Sequence, residues 1–232
     1  MGEIIELGGA LISDVGRRLE IVAVNMANVA TPGYKALIPF AALLASESPA
    51  SIPDGDVDGR SKLAPGEVRK TGNPLDLAIE GEGFFVVRGA GGTVYTRAGQ
   101  FHSDAEGRLV NMAGEALQGG SGDIVIHTGR PQVLSDGTIL EDGRPVSRID
   151  IVQVLDPASL RRMGSGFSTS PDNVSSVDNA RIGQGELESS NVSSAQEMIA
   201  MMRLQRTAEN GRQLVQVYDD IIGKVINTFG QS

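Results

Sequence analysis

The sequence predicts an α+β fold in which paired N- and C-terminal helices form a coiled-coil-like stalk with an inserted all-β domain. Both ends of the 232-residue chain carry apolar residues spaced alternately by three and four. This spacing averages the 3.5-residue repeat of helices that pack along one another. Between the ends, short apolar runs alternate with glycine-rich turns, which is typical of β-strands. Two helical seams so far apart in sequence indicate that the termini come back together.

The first helix is predicted to run from about Glu3 to Asn28. It ends before Pro32 and Gly33, because proline excludes the preceding residue from helical geometry and Pro-Gly favours a turn. Tyr34 has an apolar ring and a polar tip, which suit it to lock this turn against a neighbour. The predicted seam positions of this helix, which we expect to serve subunit assembly, are Ile5, Ile12, Val15, Leu19, Val22 and Met26.

Residues 36–70 are predicted to form a linker, since the stretch 46–62 is rich in Ser, Pro, Asp and Gly. Residues 71–187 are predicted to form the β domain. Phe84–Val87 and Thr93–Thr96 flank a glycine-rich turn, which is a hairpin signature, and Asp142-Gly143 is a strong two-residue turn signal.

The last helix is predicted to begin at Ser194, because Glu197 lies three residues later as in a capping box, and to end near Phe229. Its predicted assembly positions are Met201, Leu204, Val215, Tyr218, Ile222, Val225 and Phe229. The predicted helical core domain therefore consists of residues 1–35 and 188–232. A second apolar stripe flanks each seam, and we expect it to bind neighbouring subunits; a β domain folded back over it is the alternative.

Composition argues against several classes of partner. The net charge is −9 and the pI is about 4.8, so a basic surface for nucleic acid or anionic lipid is not expected. No run approaches 18 apolar residues, so we expect no membrane insertion. The N-terminus lacks a basic stretch followed by an apolar one, so a cleavable secretory signal is not expected.

The sequence offers no pattern typical of an active site or a cofactor site. Cysteine is absent, and the two histidines, His102 and His127, are isolated in predicted strands, so a zinc site is not expected. The glycine-rich run 89–92 lacks the Gly-Lys-Ser/Thr of a phosphate loop. We therefore predict no catalytic, cofactor-binding or metal residues, and we predict that the protein is not an enzyme.

Several ordered motifs resemble the axial proteins of the bacterial flagellum, which form its rod and hook. Asn25 to Lys35 (Asn-Met-Ala-Asn-Val-Ala-Thr-Pro-Gly-Tyr-Lys) is similar to the N-terminal signature of that family. Residues 71–85 resemble the start of its β domain, which residues 95–99 and 104–110 continue, and residues 185–192 and 197–206 resemble its C-terminal signature. The positions carried over as the signature turn are Asn25, Asn28, Thr31, Pro32, Gly33, Tyr34 and Lys35.

The resemblance implies a structural subunit of the basal-body rod that assembles helically into the hollow drive shaft transmitting torque. It implies as partners copies of itself, other axial proteins and the flagellar type III export apparatus. It also implies residence in the periplasmic rod after export without a cleaved signal peptide. The short linker and single β domain resemble a proximal rod subunit, and a distal rod or hook-type subunit stays open.

A β-rich binding module on a coiled-coil stalk is the competing class. It requires a surface cleft lined by aromatic residues, and the clustered candidates are Phe84, Phe85, Tyr95 and Phe101. The hairpin pattern around these residues favours a core position instead.

Overall fold

The computed structural model describes residues 2–39, 59–127, 131–164, 166–177 and 179–229. Most of the predicted linker lies outside these residues. The described residues form two α-helices, α1 (Gly2–Ala27) and α2 (Ser194–Phe229), and nineteen strands. The predicted helix bounds are confirmed to within about two residues at each end.

The predicted fold class is wrong: strands dominate the described chain, and the two helices do not form a paired coiled-coil stalk. α1 and α2 contact each other, but the predicted heptad seam does not describe the buried face of α1. Ile12, on the seam, is 46% exposed, whereas Ile21, outside the seam, is buried. The buried polar side chain of Asn25 lies at this face as well, so the contact is not a continuous apolar seam.

The nineteen strands are short, with two to six residues each. They are β1 Leu37–Pro39, β2 Gly59–Ser61, β3 Val68–Lys70, β4 Leu77–Glu80, β5 Phe84–Gly89, β6 Gly92–Thr96, β7 Phe101–Ser103, β8 Leu109–Asn111, β9 Ala116–Gly119, β10 Gly122–Asp123, β11 Gln132–Val133, β12 Thr138–Glu141, β13 Arg144–Arg148, β14 Ile151–Val154, β15 Arg161–Met163, β16 Gly166–Ser168, β17 Val174–Ser176, β18 Arg181–Gln184 and β19 Glu186–Glu188.

The chain divides into two compact units. The first unit comprises Met1–Ala27, Leu37–Lys62 and Val192–Ser232, and the second comprises Asn28–Ala36 and Leu63–Asn191. In the first unit, α1 contacts α2 and β1, and β1 pairs antiparallel with β2.

The second unit, called the β unit below, is built on a ten-stranded sheet. Its main path has the order β15-β16-β6-β5-β9-β8-β7, with β14, β17 and β10 paired to members of that path. A three-stranded sheet, β11-β12-β13, and the pairs β18-β4 and β19-β3 complete it. The predicted hairpin is confirmed, since β5 and β6 pair with Val86 opposite Tyr95.

The aromatic residues of the hairpin are buried in two adjacent cores. Phe85 and Phe101 meet edge-to-face with ring centroids 5.6 Å apart in the larger core. Phe84 and Tyr95 lie in the smaller one. The hairpin-core interpretation is therefore confirmed, and these four rings do not line a surface cleft.

Candidate functional site

The turn formed by residues 28–35 packs closely on the β unit. Thr31 N donates to Asn28 O at 3.1 Å, and Gly33 N donates to Glu188 O at 2.7 Å. Gly33 has a φ of 68°, and a Cβ there would lie 2.2 Å from the carbonyl carbon of Arg97. Glycine is required at this position by both the left-handed backbone and the close approach.

Lys35, at the end of this turn, is buried with its charge. Only 1% of it is exposed. Its Nζ lies 2.5 Å from Glu188 Oε1 and donates to Ala64 O at 3.0 Å. Because a buried ammonium must be paired and hydrogen-bonded, these contacts explain how a lysine is tolerated here.

Glu188 on β19 joins Lys35 to a second buried cation. Its Oε2 accepts from Arg97 Nη1 at 3.1 Å, and its Oε1 also accepts from Gly66 N at 2.8 Å. Arg97 in turn donates to Ile79 O at 3.1 Å and to Gly81 O. We call Lys35, Arg97 and Glu188 the ionic cluster.

Burial dominates the electrostatics of the ionic cluster. It lowers the pKa of Lys35 below its ordinary value, and the hydrogen bond and charge of Glu188 oppose that shift. Burial likewise lowers the pKa of Arg97, again against the attraction of Glu188. The cluster thus holds two buried cations that depend on one carboxylate.

Sequence reasoning placed Lys35 in the signature turn but assigned no partner to it. Arg97 and Glu188 both fall inside motifs that carry the resemblance, yet neither was singled out. Arg97 is a single charge among the uncharged residues of its motif, whereas Glu188 is one of two glutamates in its own, so neither pattern pointed to the pair.

Asn25 performs a separate connecting role inside the first unit. Its Oδ1 accepts from Leu37 N at 2.8 Å, and its Nδ2 donates to Leu37 O at 2.9 Å and to Glu197 Oε1 at 3.1 Å. This one side chain therefore ties the last turn of α1 to β1 and to the first turn of α2. Partial burial raises the pKa of Glu197, and the hydrogen bond from Asn25 only partly offsets that rise.

The predicted assembly positions fall into three groups. Val15 and Val22 are buried. Leu19, Met26, Met201 and Leu204 are half-buried, and Ile12 is largely exposed. The side chains that lie outside the described part of the helices are those of Ile5, Val215, Tyr218, Ile222, Val225 and Phe229.

An apolar stripe on α2 faces solvent in this chain. Met198 is 52% exposed, Ile199 is 49% exposed and Met202 is 50% exposed. Their spacing of three and four residues puts them on one helix face. Contiguous exposed apolar surface of this kind marks a site of association.

Among the described residues, no helix combines the length and the apolar character needed to cross a membrane. Groups of three or more His, Cys, Asp or Glu side chains arranged to hold a metal ion are likewise absent from that part of the chain.

Two segments match families of flagellar proteins. Residues 78–146 match the flagellar hook protein FlgE/F/G D1 domain, and residues 184–228 match the C-terminal domain of the flagellar basal body rod FlgEFG proteins.

Relatives extend the similarity over most of the chain. The flagellar basal-body rod protein FlgF of Caulobacter vibrioides is 35% identical over 207 residues, which cover 84% of each chain. FlgF of Mesorhizobium japonicum is 30% identical over 92% of each chain. The rod protein FlgG of Agrobacterium fabrum is 29% identical over 88% of this chain and 90% of its own.

These similarities place the chain in one class of protein. The chain belongs to the FlgE/F/G family of flagellar rod and hook proteins, which are structural proteins.

Proposed function

We propose that this chain is a non-enzymatic structural subunit of the flagellar basal-body rod. Its similarity to FlgF rod proteins over most of both chains carries this proposal. The chain assembles with copies of itself and with other axial proteins into the shaft that transmits torque. It reaches the periplasmic rod through the flagellar type III export apparatus.

The exposed stripe on α2 supports assembly as the mechanism. Burying about half of three large apolar side chains against a neighbouring subunit stabilises the contact by roughly 25 cal/mol per Å². Of the predicted assembly positions, Met201 and Leu204 are half-buried and lie in the same part of α2 as this stripe, so they are proposed to join it. Val15 and Val22 are already buried within the single chain. Helices that bury apolar surface between subunits form a stiff shaft without any chemical step.

A distal rod subunit is the second candidate, because the similarity to FlgG also spans most of the chain. Labelling of isolated basal bodies separates the two candidates, since the label lies at a different height along the rod in each case.

The test uses Met202→Asp in the source bacterium deprived of its own copy of the gene. Half of Met202 is already exposed in the single chain, so the variant is expected to fold and to keep its urea denaturation midpoint. In the assembled rod the added charge is desolvated, so the variant is expected to be lost from purified basal bodies and to abolish swimming.

Thr207→Asp is the matched control, because Thr207 is an exposed polar position of the same helix outside the stripe. It adds the same charge at similar helix propensity, and we expect normal incorporation. Wild-type amounts of Met202→Asp in basal bodies, with normal swimming, contradict the proposal.

A further inference from the structure

Arg162, which is not part of the ionic cluster, also holds the 28–35 turn on the β unit. The Arg162 guanidinium lies 4.6 Å from the centroid of the Tyr34 ring. Arg162 Nη2 also donates to the carbonyl oxygen of Lys35. Arg162 therefore contacts two consecutive residues of the turn, one through its face and one through its edge.

The position of Arg162 is itself well defined. It lies on β15, directly opposite Phe167 of β16, and its guanidinium is 5.4 Å from the Phe167 ring. Phe167 is opposite Tyr95 in the next strand. Because the guanidinium lies near two buried rings, its planar faces are occupied and its direction is fixed.

Burial lowers the pKa of Arg162, so placing this cation costs free energy that its contacts must offset. The hydrogen bond to the Lys35 carbonyl oxygen and the contacts with the Tyr34 and Phe167 rings are the interactions that offset this cost.

We infer that Arg162 is a positioning residue that keeps the 28–35 turn closed on the β unit. Arg162 thereby controls protease access to Lys35 and Ala36. The side chain of Lys35 is buried, and Ala36 N donates to Asn191 Oδ1 at 2.7 Å. The turn is the covalent connection between α1 and the β unit, so its order sets a condition for assembly. The consequence for assembly rests on the proposed function, whereas the closing of the turn does not.

The experiment is limited proteolysis of the full chain with trypsin, in the absence of denaturant. Cleavage after Lys35 requires the turn to leave the β unit, because the Lys35 side chain is 1% exposed. Cleavage after Arg88, which lies in β5 between its partner strands β6 and β9, reports opening of the β unit itself. Arg162→Met preserves apolar contact with Tyr34 but removes the hydrogen bond and the cation–π contact. Arg161→Met, at the exposed neighbouring position on β15, is the matched control and also removes one tryptic site.

We expect Arg162→Met to accelerate cleavage after Lys35 by on the order of tenfold, since a hydrogen bond and a cation–π contact together shift a local equilibrium by about that factor. Cleavage after Arg88 is expected to stay at the rate of the control. Equal acceleration at both sites, or no acceleration after Lys35, overturns the inference.

Incorporation into basal bodies tests the consequence for assembly. We expect Arg162→Met to be incorporated several-fold less than Arg161→Met. If the turn opens in Arg162→Met and incorporation is unchanged, the positioning role in assembly is wrong. That outcome is distinguishable from failure of the proposed function, which Met202→Asp tests independently.

Discussion

Glu188→Gln is the sharpest test of the ionic cluster. The change preserves the shape of the side chain and removes the carboxylate that Lys35 and Arg97 share. The amide can still accept one hydrogen bond, but its NH₂ group then faces the remaining donor. Both cations stay buried, so the variant leaves an uncompensated charge in the β unit.

The magnitude follows from this geometry. Removing one partner of a buried ion pair costs about 3–5 kcal/mol, and Glu188 has two cationic partners at 2.5 and 3.1 Å. With a urea slope of about 2 kcal/mol per molar, the midpoint for the β unit is expected to fall by roughly 1.5–2.5 M. Equilibrium urea denaturation followed by far-UV circular dichroism measures this shift.

Two comparisons make the result specific to the cluster. Glu209→Gln removes the exposed carboxylate that pairs with Arg212 at 3.0 Å, and it is expected to leave the urea midpoint nearly unchanged, because water screens such a pair. Lys35→Met leaves Glu188 paired with Arg97, so it is expected to cost less than Glu188→Gln. A midpoint for Glu188→Gln within about 0.3 M of that for Glu209→Gln refutes the reasoning.

Two further predictions concern the turn and the first unit. Gly33→Ala is expected to destabilise the β unit by about 1–3 kcal/mol more than Gly114→Ala. Both glycines have a positive φ, but only at Gly33 would the added Cβ collide with backbone atoms. Equal urea midpoints of the two variants contradict this prediction. Glu197→Gln is expected to stabilise the first unit at pH 7 relative to the native chain. The pKa of Glu197 is raised in the folded chain, so the stability contributed by this carboxyl is present below about pH 4 and is lost as the pH rises through the folded pKa. The melting temperatures of the variant and the native chain are therefore expected to converge toward low pH. A larger advantage of the variant at pH 3.5 than at pH 7 contradicts the assignment.

Local patterns in the sequence predicted the local structure well. The helix bounds followed from apolar spacing and from Pro32, and the β5–β6 hairpin followed from two apolar runs around glycines. These features depend on neighbours within a few residues, where periodicity and turn chemistry act directly. The burial of Phe85 and Phe101 followed from the same hairpin pattern.

The packing of α1 could not be predicted in the same way. The seam hypothesis assumed that another helix covers one continuous stripe, which selects a 3.5-residue repeat. In the structure the end of α1 is also bound to β1 through Asn25, so a polar side chain occupies a buried position and Ile21 is buried outside the stripe. An apolar repeat gives no information about a partner that is a strand.

The ionic cluster escaped prediction for a different reason. Lys35 and Glu188 are 153 residues apart in sequence, and a single charged residue in a motif does not indicate where its partner is. Only the seating of the turn on β19 brings the two side chains together. The signature motif therefore identified the turn, while its electrostatic partners became visible only in the fold.

Burying the charges of the ionic cluster costs free energy, so the cluster is better explained by fixing one position of the turn on the β unit than by stability alone. Apolar side chains of similar volume often stabilise a protein as well as a buried ion pair does. Apolar contacts, however, tolerate small displacements, whereas Lys35 loses its ion pair with Glu188 when the turn shifts. Gly33 N donating to Glu188 O and Arg162 donating to Lys35 O fix the same turn through its backbone. A displaced turn thus separates the Lys35 ammonium from Glu188 and breaks two backbone hydrogen bonds, so even a small displacement of the turn is costly. Because this turn connects directly to α1, the free-energy cost of displacing it favours the same turn geometry in every subunit.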